Sequence, residues 1–416
     1  MTSTVMTAPG SSTARAGRHI RGEMREQPDV LGNLARHVTH FAEQTGVLSA
    51  KAGGFDEVVF LADACVEHAA LLGRHAVEAR CGIAARVLTP VEPTDPATAA
   101  EDVDDRRRLA VVLSPSGSEP DVLALASHYA EAGATLIAVT NDVRSPLAQS
   151  AALCIDLAAG LELAASPTKS TTGLMLAVLA IVEGLPAASD VADAATPADS
   201  AAGPPRAGQA VLGNAQSAKA LAHLVAELLA DPAPAEAAAA RLVAARRIAV
   251  VGCDYLVPAA LETARMLRDT AGLTVEGFSA DGFRTGPVGG FDAETTAVLL
   301  AGDGGGDEAV RDLRASLLSR NVPMVSISSF PAEPERAAAG DGAPTDADAG
   351  QPNGTAGRGT GAPDLAFPVL GSMAECILAT VRGQQLAVAA AVALGVDPDR
   401  GRALTNDDPQ VREPLP

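Results

Sequence analysis

Short aliphatic runs alternate with longer helical patterns along most of the chain. In the first half, runs of strand length lie between polar turns at Val58–Ala62, Ala84–Leu88, Leu109–Leu113, Thr135–Val139 and Leu153–Leu157. Apolar residues recur at helical spacing over Cys65–Arg80, Glu119–Ala132 and Thr168–Glu183. Because uninterrupted apolar strands are typical of parallel sheets covered on both faces, this order of elements predicts a doubly wound α/β domain.

The same order of elements returns in the second half. Its aliphatic runs lie at Ile248–Val251, Leu273–Phe278, Ala297–Leu300, Met324–Ile327 and Leu365–Val369. Its helical patterns cover Pro258–Ala271, Asp307–Arg320 and Met373–Val392. The repeat is one of pattern and not of residue identity. We therefore predict an α/β fold with two doubly wound domains, each a parallel five-stranded sheet flanked by helices.

Two polar segments rich in Ala, Pro, Gly and Asp interrupt this pattern. Neither holds enough apolar residues to offset the entropy of ordering, so both are interpreted as flexible. The predicted segments, in chain order, are a disordered tail (1–22), a first domain with N-terminal helices (23–185), a flexible linker (186–210), a second domain (211–405) with a disordered insertion (331–364), and a C-terminal tail (406–416).

The composition argues against several classes of partner. A formal net charge of −20 and an aromatic content of 2% do not suit a nucleic-acid-binding surface, which needs basic grooves and stacking platforms. The longest uncharged apolar runs, Leu174–Val182 and Leu386–Val396, are shorter than the ~20 residues of a membrane span. The first residues also lack the apolar core of a signal peptide. We therefore expect a cytoplasmic protein with no membrane or nucleic-acid partner.

Cysteine and histidine form no recognisable site pattern. The five cysteines are scattered without a CxxC motif or a Cys/His cluster, so neither a disulfide framework nor a metal site is predicted, and no cofactor is expected. All seven histidines lie at or before His223. On the first predicted helix, His68 and His75 are either ligands or ordinary helix side chains, of which the second is more common.

A serine-rich loop, Ser114-Pro115-Ser116-Gly117-Ser118, follows a buried strand and precedes a helix. Ligands of parallel sheets bind beyond the carboxyl ends of the strands, where backbone N–H groups and the helix dipole favour an anion. The glycine allows close approach of the backbone, and the serines add neutral donors. Taken alone, the loop is either a phosphate-binding loop or an ordinary helix-capping turn.

A wider set of residues resembles the SIS (sugar isomerase) domain family, whose pattern runs S-x-S-G-x-T-x-(D/E), then T-N, S-x-L-A, an apolar strand, A-G-x-E and T-K-(S/A)-x-T. The matching positions are Ser114, Ser116, Gly117, Asp121, Thr140, Asn141, Ser145, Leu147, Ala148, Glu162, Thr168, Lys169 and Thr172. Met24–Leu31 and Ala393–Leu404 are similar to the first helix and the closing segment of two-domain members. The resemblance implies a tandem-SIS protein similar to the isomerase half of glucosamine-6-phosphate synthase. Glutaminase activity is not expected, because position 2 is Thr2 where that domain has its cysteine nucleophile.

The resemblance implies a sugar-phosphate site around the serine loop. The residues implied in phosphate or substrate binding are Ser114, Ser116, Gly117, Ser118, Thr168 and Lys169. The family's companion Gly-Thr-Ser loop reads Ala64-Cys65-Val66 here, and Glu119 replaces the threonine of the serine loop. A carboxylate repels phosphate unless it points away or pairs with a cation, and the alternative role of Glu119 is to cap the following helix. Lys169 either steadies the charge of a ligand or pairs with Glu162.

Candidate catalytic residues lie on the helix pattern Leu261–Asp269, which is similar to the family's acid/base helix, E-x-x-L-K-x-K-E, with Met266 in place of one lysine. Asp269 stands at the proton-shuttle position, one methylene shorter than the family's glutamate, and Glu262 supports it. Thr285 replaces the family's ring-opening histidine, and Leu404–Thr405 replace its late lysine. Three of the four catalytic groups that the resemblance implies are therefore missing or altered.

Two functions stay open. The first is a phosphosugar-binding protein of the sugar isomerase type, with or without the ability to interconvert an aldose and a ketose form of an (amino)sugar phosphate. The second is a catalytically inactive SIS protein that acts as a ligand sensor or as a subunit of a complex. The altered catalytic groups favour the second function, and they leave the fold prediction unchanged. Apolar helices at Leu174–Val182 and Leu386–Leu394 predict a homodimer, and the resemblance implies the same because members of the family usually dimerise.

Overall fold

The computed structural model describes residues 16–90, 107–188, 210–212, 215–302, 307–329 and 364–400. Most of the predicted linker and insertion, and all of the predicted C-terminal tail, fall outside these ranges. The first helix begins at Arg18, inside the segment predicted as an N-terminal tail.

The first domain follows the predicted order of elements. Its helices are α1 (Arg18–Ala35), α2 (Val38–Ala52), α3 (Glu67–Cys81), α4 (Pro120–Glu131), α5 (Pro146–Ser150) and α6 (Lys169–Glu183). Its strands are β1 (Glu57–Ala62), β2 (Ala84–Leu88), β3 (Arg108–Leu113), β4 (Thr135–Thr140) and β5 (Leu153–Asp156). The strands are all parallel, in the order β2-β1-β3-β4-β5.

The second domain repeats this plan. Its helices are α7 (Ala215–Ala230), α8 (Ala233–Val243), α9 (Val257–Ala271), α10 (Ala280–Arg284), α11 (Asp307–Ser319) and α12 (Glu375–Ala393). Its strands are β6 (Arg247–Gly252), β7 (Val275–Ser279), β8 (Thr295–Ala301), β9 (Met324–Ser328) and β10 (Leu365–Ala366). They are parallel in the order β10-β9-β8-β6-β7. The predicted α/β fold with two five-stranded parallel sheets is confirmed.

The central strands of the first sheet are apolar on both faces, and every residue of β1 and β3 is buried. Charge enters only at their amino ends, where Glu57 accepts from Arg108 at 2.8 Å and pairs with Arg86 at 2.7 Å. These pairs join three neighbouring strands and satisfy a carboxylate that would be costly to bury alone. They lie at the edge opposite the serine loop, so they hold the sheet together without entering the candidate site.

The two domains meet where α1 of the first packs on α7 of the second, and where α3 and α6 of the first contact α9 and α12 of the second. Helix α6 carries the buried run Leu174–Val182, and α12 carries the other apolar run of the sequence. By length and composition α12 could cross a membrane, but 83% of its apolar window is buried inside the protein. Packing against α8 and α9 of its own domain, with a smaller contact to α6 of the first domain, accounts for its composition.

Several short or alanine-rich helices were not predicted, among them α7 and α8. Alanine contributes little apolar surface, so such helices carry a weak periodic signal. They nevertheless have defined partners, because α7 packs on α1 and α8 packs on α12. Strand β10 is also shorter than the predicted run Leu365–Val369.

Candidate functional site

The candidate site lies at the carboxyl edge of the first sheet. The chain leaves β1 towards β2 on one side, and β3 then begins on the other side of β1, so the strand order reverses between β1 and β3. Ligands of open parallel sheets bind at such a reversal, beyond the carboxyl ends of the strands. The segment 63–66 follows β1 there, and the serine loop follows β3.

The serine loop has a fixed backbone. Gly117 has φ of +62°, and its N–H donates to the Ser114 hydroxyl at 2.8 Å. A β-carbon at Gly117 would lie 2.1 Å from the Ser145 hydroxyl oxygen, so no other residue fits without displacing that side chain. The neighbouring strand contributes a further tether, since Asn141 N–H donates to the Pro115 carbonyl at 2.9 Å.

The donors of this loop point at a carboxylate of the same chain. The Ser116 hydroxyl donates to Glu119 Oε1 at 2.5 Å, and the Ser114 hydroxyl donates to Glu119 Oε2. Burial by itself would raise the pKa of Glu119, but those hydroxyls and the backbone N–H groups of Ser118 and Glu119 lower the pKa below its ordinary value. The loop is therefore an anion cradle, and its occupant in this structure is Glu119.

The companion loop after β1 adds a second carboxylate. Asp63 Oδ1 accepts hydrogen bonds from the Cys65 N–H at 2.7 Å and from the Val66 N–H at 3.2 Å. These bonds hold the turn that leads into α3. Burial raises the pKa of Asp63, and the Glu119 carboxylate across the site raises it further. Where the SIS pattern has phosphate-binding hydroxyls, this loop has the side chains of Ala64, Cys65 and Val66. Burial and the Asp63 charge also raise the pKa of the Cys65 thiol, which disfavours the thiolate form.

The predicted catalytic carboxylates lie on α9, beside the same loop. Arg265 binds Glu262 through two hydrogen bonds of 3.0 and 2.6 Å, and donates to Asp269 at 2.6 Å. The His68 ring, reaching from α3 across the domain boundary, places Nδ1 2.8 Å from Glu262 Oε2. One guanidinium thus holds both candidate acid/base groups.

Glu262 is the more constrained of the two. Its side chain is 1% exposed. Burial alone would raise the pKa of Glu262, but the charge of Arg265 and the hydrogen bond from His68 hold it at about 2. Such a carboxylate does not take up a proton near neutral pH. The Asp269 side chain is 38% exposed, and Arg265 is the ion-pair partner that the described residues give it.

Thr168 and Lys169 lie at the start of α6 in a separate polar cluster. Glu162 accepts from their backbone N–H groups at 2.8 and 2.9 Å and so caps the helix. The Lys169 ammonium lies 2.5 Å from Glu26 of α1, and its side chain is 2% exposed. The Lys169 ammonium therefore pairs with Glu26, whereas Glu162 contacts Lys169 only at the main chain. A contact between either residue and a ligand stays a prediction.

Sequence reasoning missed Arg265, which organises the α9 cluster. A signal was available, because Arg265 stands three residues after Glu262 and four before Asp269, spacings that share one helix face. It also gave no role to Asp63 and did not foresee that Glu119 would fill the serine loop. Among the residues that the structure describes, no group of three or more His, Cys, Asp and Glu side chains is placed to hold a metal ion.

A sequence profile of the SIS domain matches residues 97–183 and 241–339, one segment in each structural domain. The chain belongs to the SIS-domain family. Its two SIS domains correspond to the repeated pattern seen in the sequence.

Related proteins agree with this assignment. The chain is 26% identical over 283 residues to a glutamine–fructose-6-phosphate aminotransferase (isomerizing) of Corynebacterium glutamicum, a match that covers 65% of this SIS protein and 42% of that enzyme. The corresponding protein of Corynebacterium efficiens is 28% identical over 239 residues, covering 56% of this chain and 34% of its own length. The chain thus spans well under half of these relatives.

Solved structures share the whole fold. The C-terminal domain of glucosamine-fructose-6-phosphate aminotransferase from Francisella tularensis superposes with a TM-score of 0.68 at 14% identity, over 94% of this chain and 100% of that one. Tagatose-6-phosphate ketose/aldose isomerase from Escherichia coli gives a TM-score of 0.68 at 16% identity, over 94% and 97% of the two chains. At these identities the likeness establishes the architecture of the tandem-SIS protein.

Proposed function

We propose that this SIS protein binds a phosphorylated sugar derivative at the carboxyl edge of its first sheet and does not isomerise it. One observation carries the proposal: the serine loop keeps the donors of an anion site, whereas Arg265 holds both carboxylates that isomerisation would need. The protein would then act as a ligand sensor or as a subunit of a complex.

The binding half of the proposal rests on the loop. The hydroxyls of Ser114 and Ser116 converge on one anionic group, and the backbone N–H groups of Ser118 and Glu119 lower its pKa. Hydroxyl and amide donors at a helix N-terminus suit a phosphate monoester. The names of the relatives, which concern fructose 6-phosphate and tagatose 6-phosphate, suggest a hexose phosphate as the class of ligand.

The lack of turnover rests on α9. A proton shuttle between neighbouring carbons must exchange protons near neutral pH and must reach the substrate. Glu262 has a pKa of about 2 and is buried, so it fails both conditions. Asp269 is within 2.6 Å of Arg265, and the ring-opening position holds Thr285, which is not a base at neutral pH.

The alternative, an aldose–ketose isomerase with Asp269 as its shuttle, has one observation in its favour. The Asp269 side chain is 38% exposed, so substrate can reach its second oxygen. Cytoplasmic location, a homodimer, and the absence of nucleic-acid and membrane partners remain predictions of the sequence.

A calorimetric titration with fructose 6-phosphate and glucosamine 6-phosphate, paired with an isomerisation assay, tests the proposal. We expect saturable binding that Ser116→Ala weakens, and no turnover above the Asp269→Asn background. Turnover that Asp269→Asn abolishes would establish the isomerase instead. Absence of hexose-phosphate binding in the wild type and in variants with a neutral residue at position 119 would refute both functions.

A further inference from the structure

We propose that Glu119 is a resident anion that competes with the phosphate of the ligand for the serine loop, so that ligand binding requires its displacement. This inference rests on the proposed function, since it concerns how the same site is regulated. The residue at position 119 would set both the affinity for phosphate and the choice between phosphorylated and unphosphorylated sugars.

The geometry makes the two anions mutually exclusive. Each Glu119 oxygen accepts from a different serine: Oε1 from Ser116 and Oε2 from Ser114. These are the hydroxyls that the SIS resemblance assigns to phosphate. A hydroxyl donates one proton, so a phosphate oxygen gains either donor only when the carboxylate releases it.

The surroundings favour the carboxylate while it stays in place. Glu119 is tethered at the start of α4, so its carboxylate has a high effective concentration near the serine hydroxyls, whereas a ligand must bind from solution. A phosphate entering beside it would face the negative charges of Glu119 and Asp63. The nearby guanidinium of Arg265 is already shared between Glu262 and Asp269. Competition therefore selects against phosphate unless Glu119 swings away.

A helix-capping role for Glu119 does not explain its position. The residue precedes α4 with extended backbone angles, as a helix cap does, but its side chain makes no capping hydrogen bond to the helix that follows. It turns back instead to the hydroxyls of the preceding loop. This orientation is the one expected of a group that replaces a ligand.

The test compares Glu119→Thr, Glu119→Gln and the control Glu131→Gln in the full-length protein. Threonine restores the residue of the SIS pattern, glutamine removes the charge at nearly constant shape, and the control removes the same charge from the exposed far end of α4. Each variant is titrated with glucosamine 6-phosphate and with unphosphorylated glucosamine, after thermal melting has confirmed that it is folded.

We expect Glu119→Thr to tighten glucosamine 6-phosphate binding at least about tenfold, Glu119→Gln to tighten it less, and Glu131→Gln to change it less than about twofold. Affinity for glucosamine should not increase. Measurable wild-type binding that is equal in all the variants would overturn the competition and leave the proposed function standing. Failure of every variant to bind glucosamine 6-phosphate would overturn the proposed function and this inference together. The two failures are thus distinguishable.

Discussion

The ion network on α9 gives a quantitative prediction for Arg265→Met. The substitution keeps most of the side-chain volume and removes the guanidinium that binds Glu262, whose carboxylate is 1% exposed. A buried carboxylate left without its cation costs about 3–5 kcal/mol in other proteins. Because His68 still lies 2.8 Å from Glu262, we expect the loss to fall at the lower end, at about 3 kcal/mol.

Proton linkage gives the net stabilisation that ionised Glu262 contributes after the cost of its burial, to which both Arg265 and His68 contribute. The folded-state pKa of Glu262 is lowered from 4.5 to about 2, so the ionised group stabilises the folded state at any pH above the unfolded value. At 1.36 kcal/mol per pKa unit, this contribution is about 3 kcal/mol. The wild type loses it as the pH falls from 4.5 towards 2. In Arg265→Met, burial raises the pKa of Glu262, so the stability gap to the wild type should narrow in acid.

Urea unfolding at pH 7 and at pH 4 measures both effects. Arg268→Met is the matched control, because Arg268 lies on the same helix at an exposed position and should cost less than about 1 kcal/mol. The double variant Glu262→Met/Arg265→Met removes the charge together with its partner and should recover at least half of the loss. A stability of Arg265→Met at pH 7 equal to that of Arg268→Met would refute this account of the network.

Two further substitutions probe the first domain. Gly117→Ala places a β-carbon 2.1 Å from the Ser145 hydroxyl at a φ of +62°, and should lower the free energy of unfolding in urea by about 2–4 kcal/mol. The control Gly133→Ala, at a φ of +85° with open space around it, should lower it by about 1 kcal/mol. Equal losses would mean that the close approach to Ser145 does not limit the residue at position 117. Lys169→Met should leave hexose-phosphate affinity within about twofold, because the ammonium is committed to Glu26, and a loss of tenfold or more in the titration would assign Lys169 to the ligand site.

The sequence contained most of the fold. Runs such as Leu109–Leu113 are apolar at every position, and a fully buried parallel strand is the structure that uses all of those residues. Helices α7 and α8 left little trace, because alanine contributes little apolar surface and the partners of these helices lie elsewhere in the chain. The order of the strands in each sheet depends on the same long-range packing.

The candidate site was only partly predictable. The serine loop could be located from its residues, because the strand before it and the helix after it are both local signals. The occupant of the loop could not be predicted from the sequence. A carboxylate at position 119 either points away from the hydroxyls or accepts hydrogen bonds from them, and only the side-chain geometry distinguishes these arrangements. The bridge from His68 to Glu262 joins residues 194 positions apart, so no local pattern could reveal it.

The departures from the SIS pattern act together on the charge of the site. The SIS acid/base helix reads E-x-x-L-K-x-K-E, and here Met266 takes the place of one lysine and is fully buried. Arg265 supplies a cation at the preceding position, but its hydrogen bonds go to Glu262 and Asp269. Glu119 meanwhile replaces a neutral donor of the pattern by a carboxylate, and Asp63 adds a second carboxylate across the site.

A phosphate therefore enters a site whose cation is already neutralised and whose serine donors are already used. Restoring threonine at position 119 removes one of these obstacles and leaves the α9 network intact. Glu119→Thr should consequently tighten binding without producing turnover. Isomerisation by that variant would show that Arg265 releases Asp269 when phosphate binds, and that the catalytic carboxylate is masked and not lost.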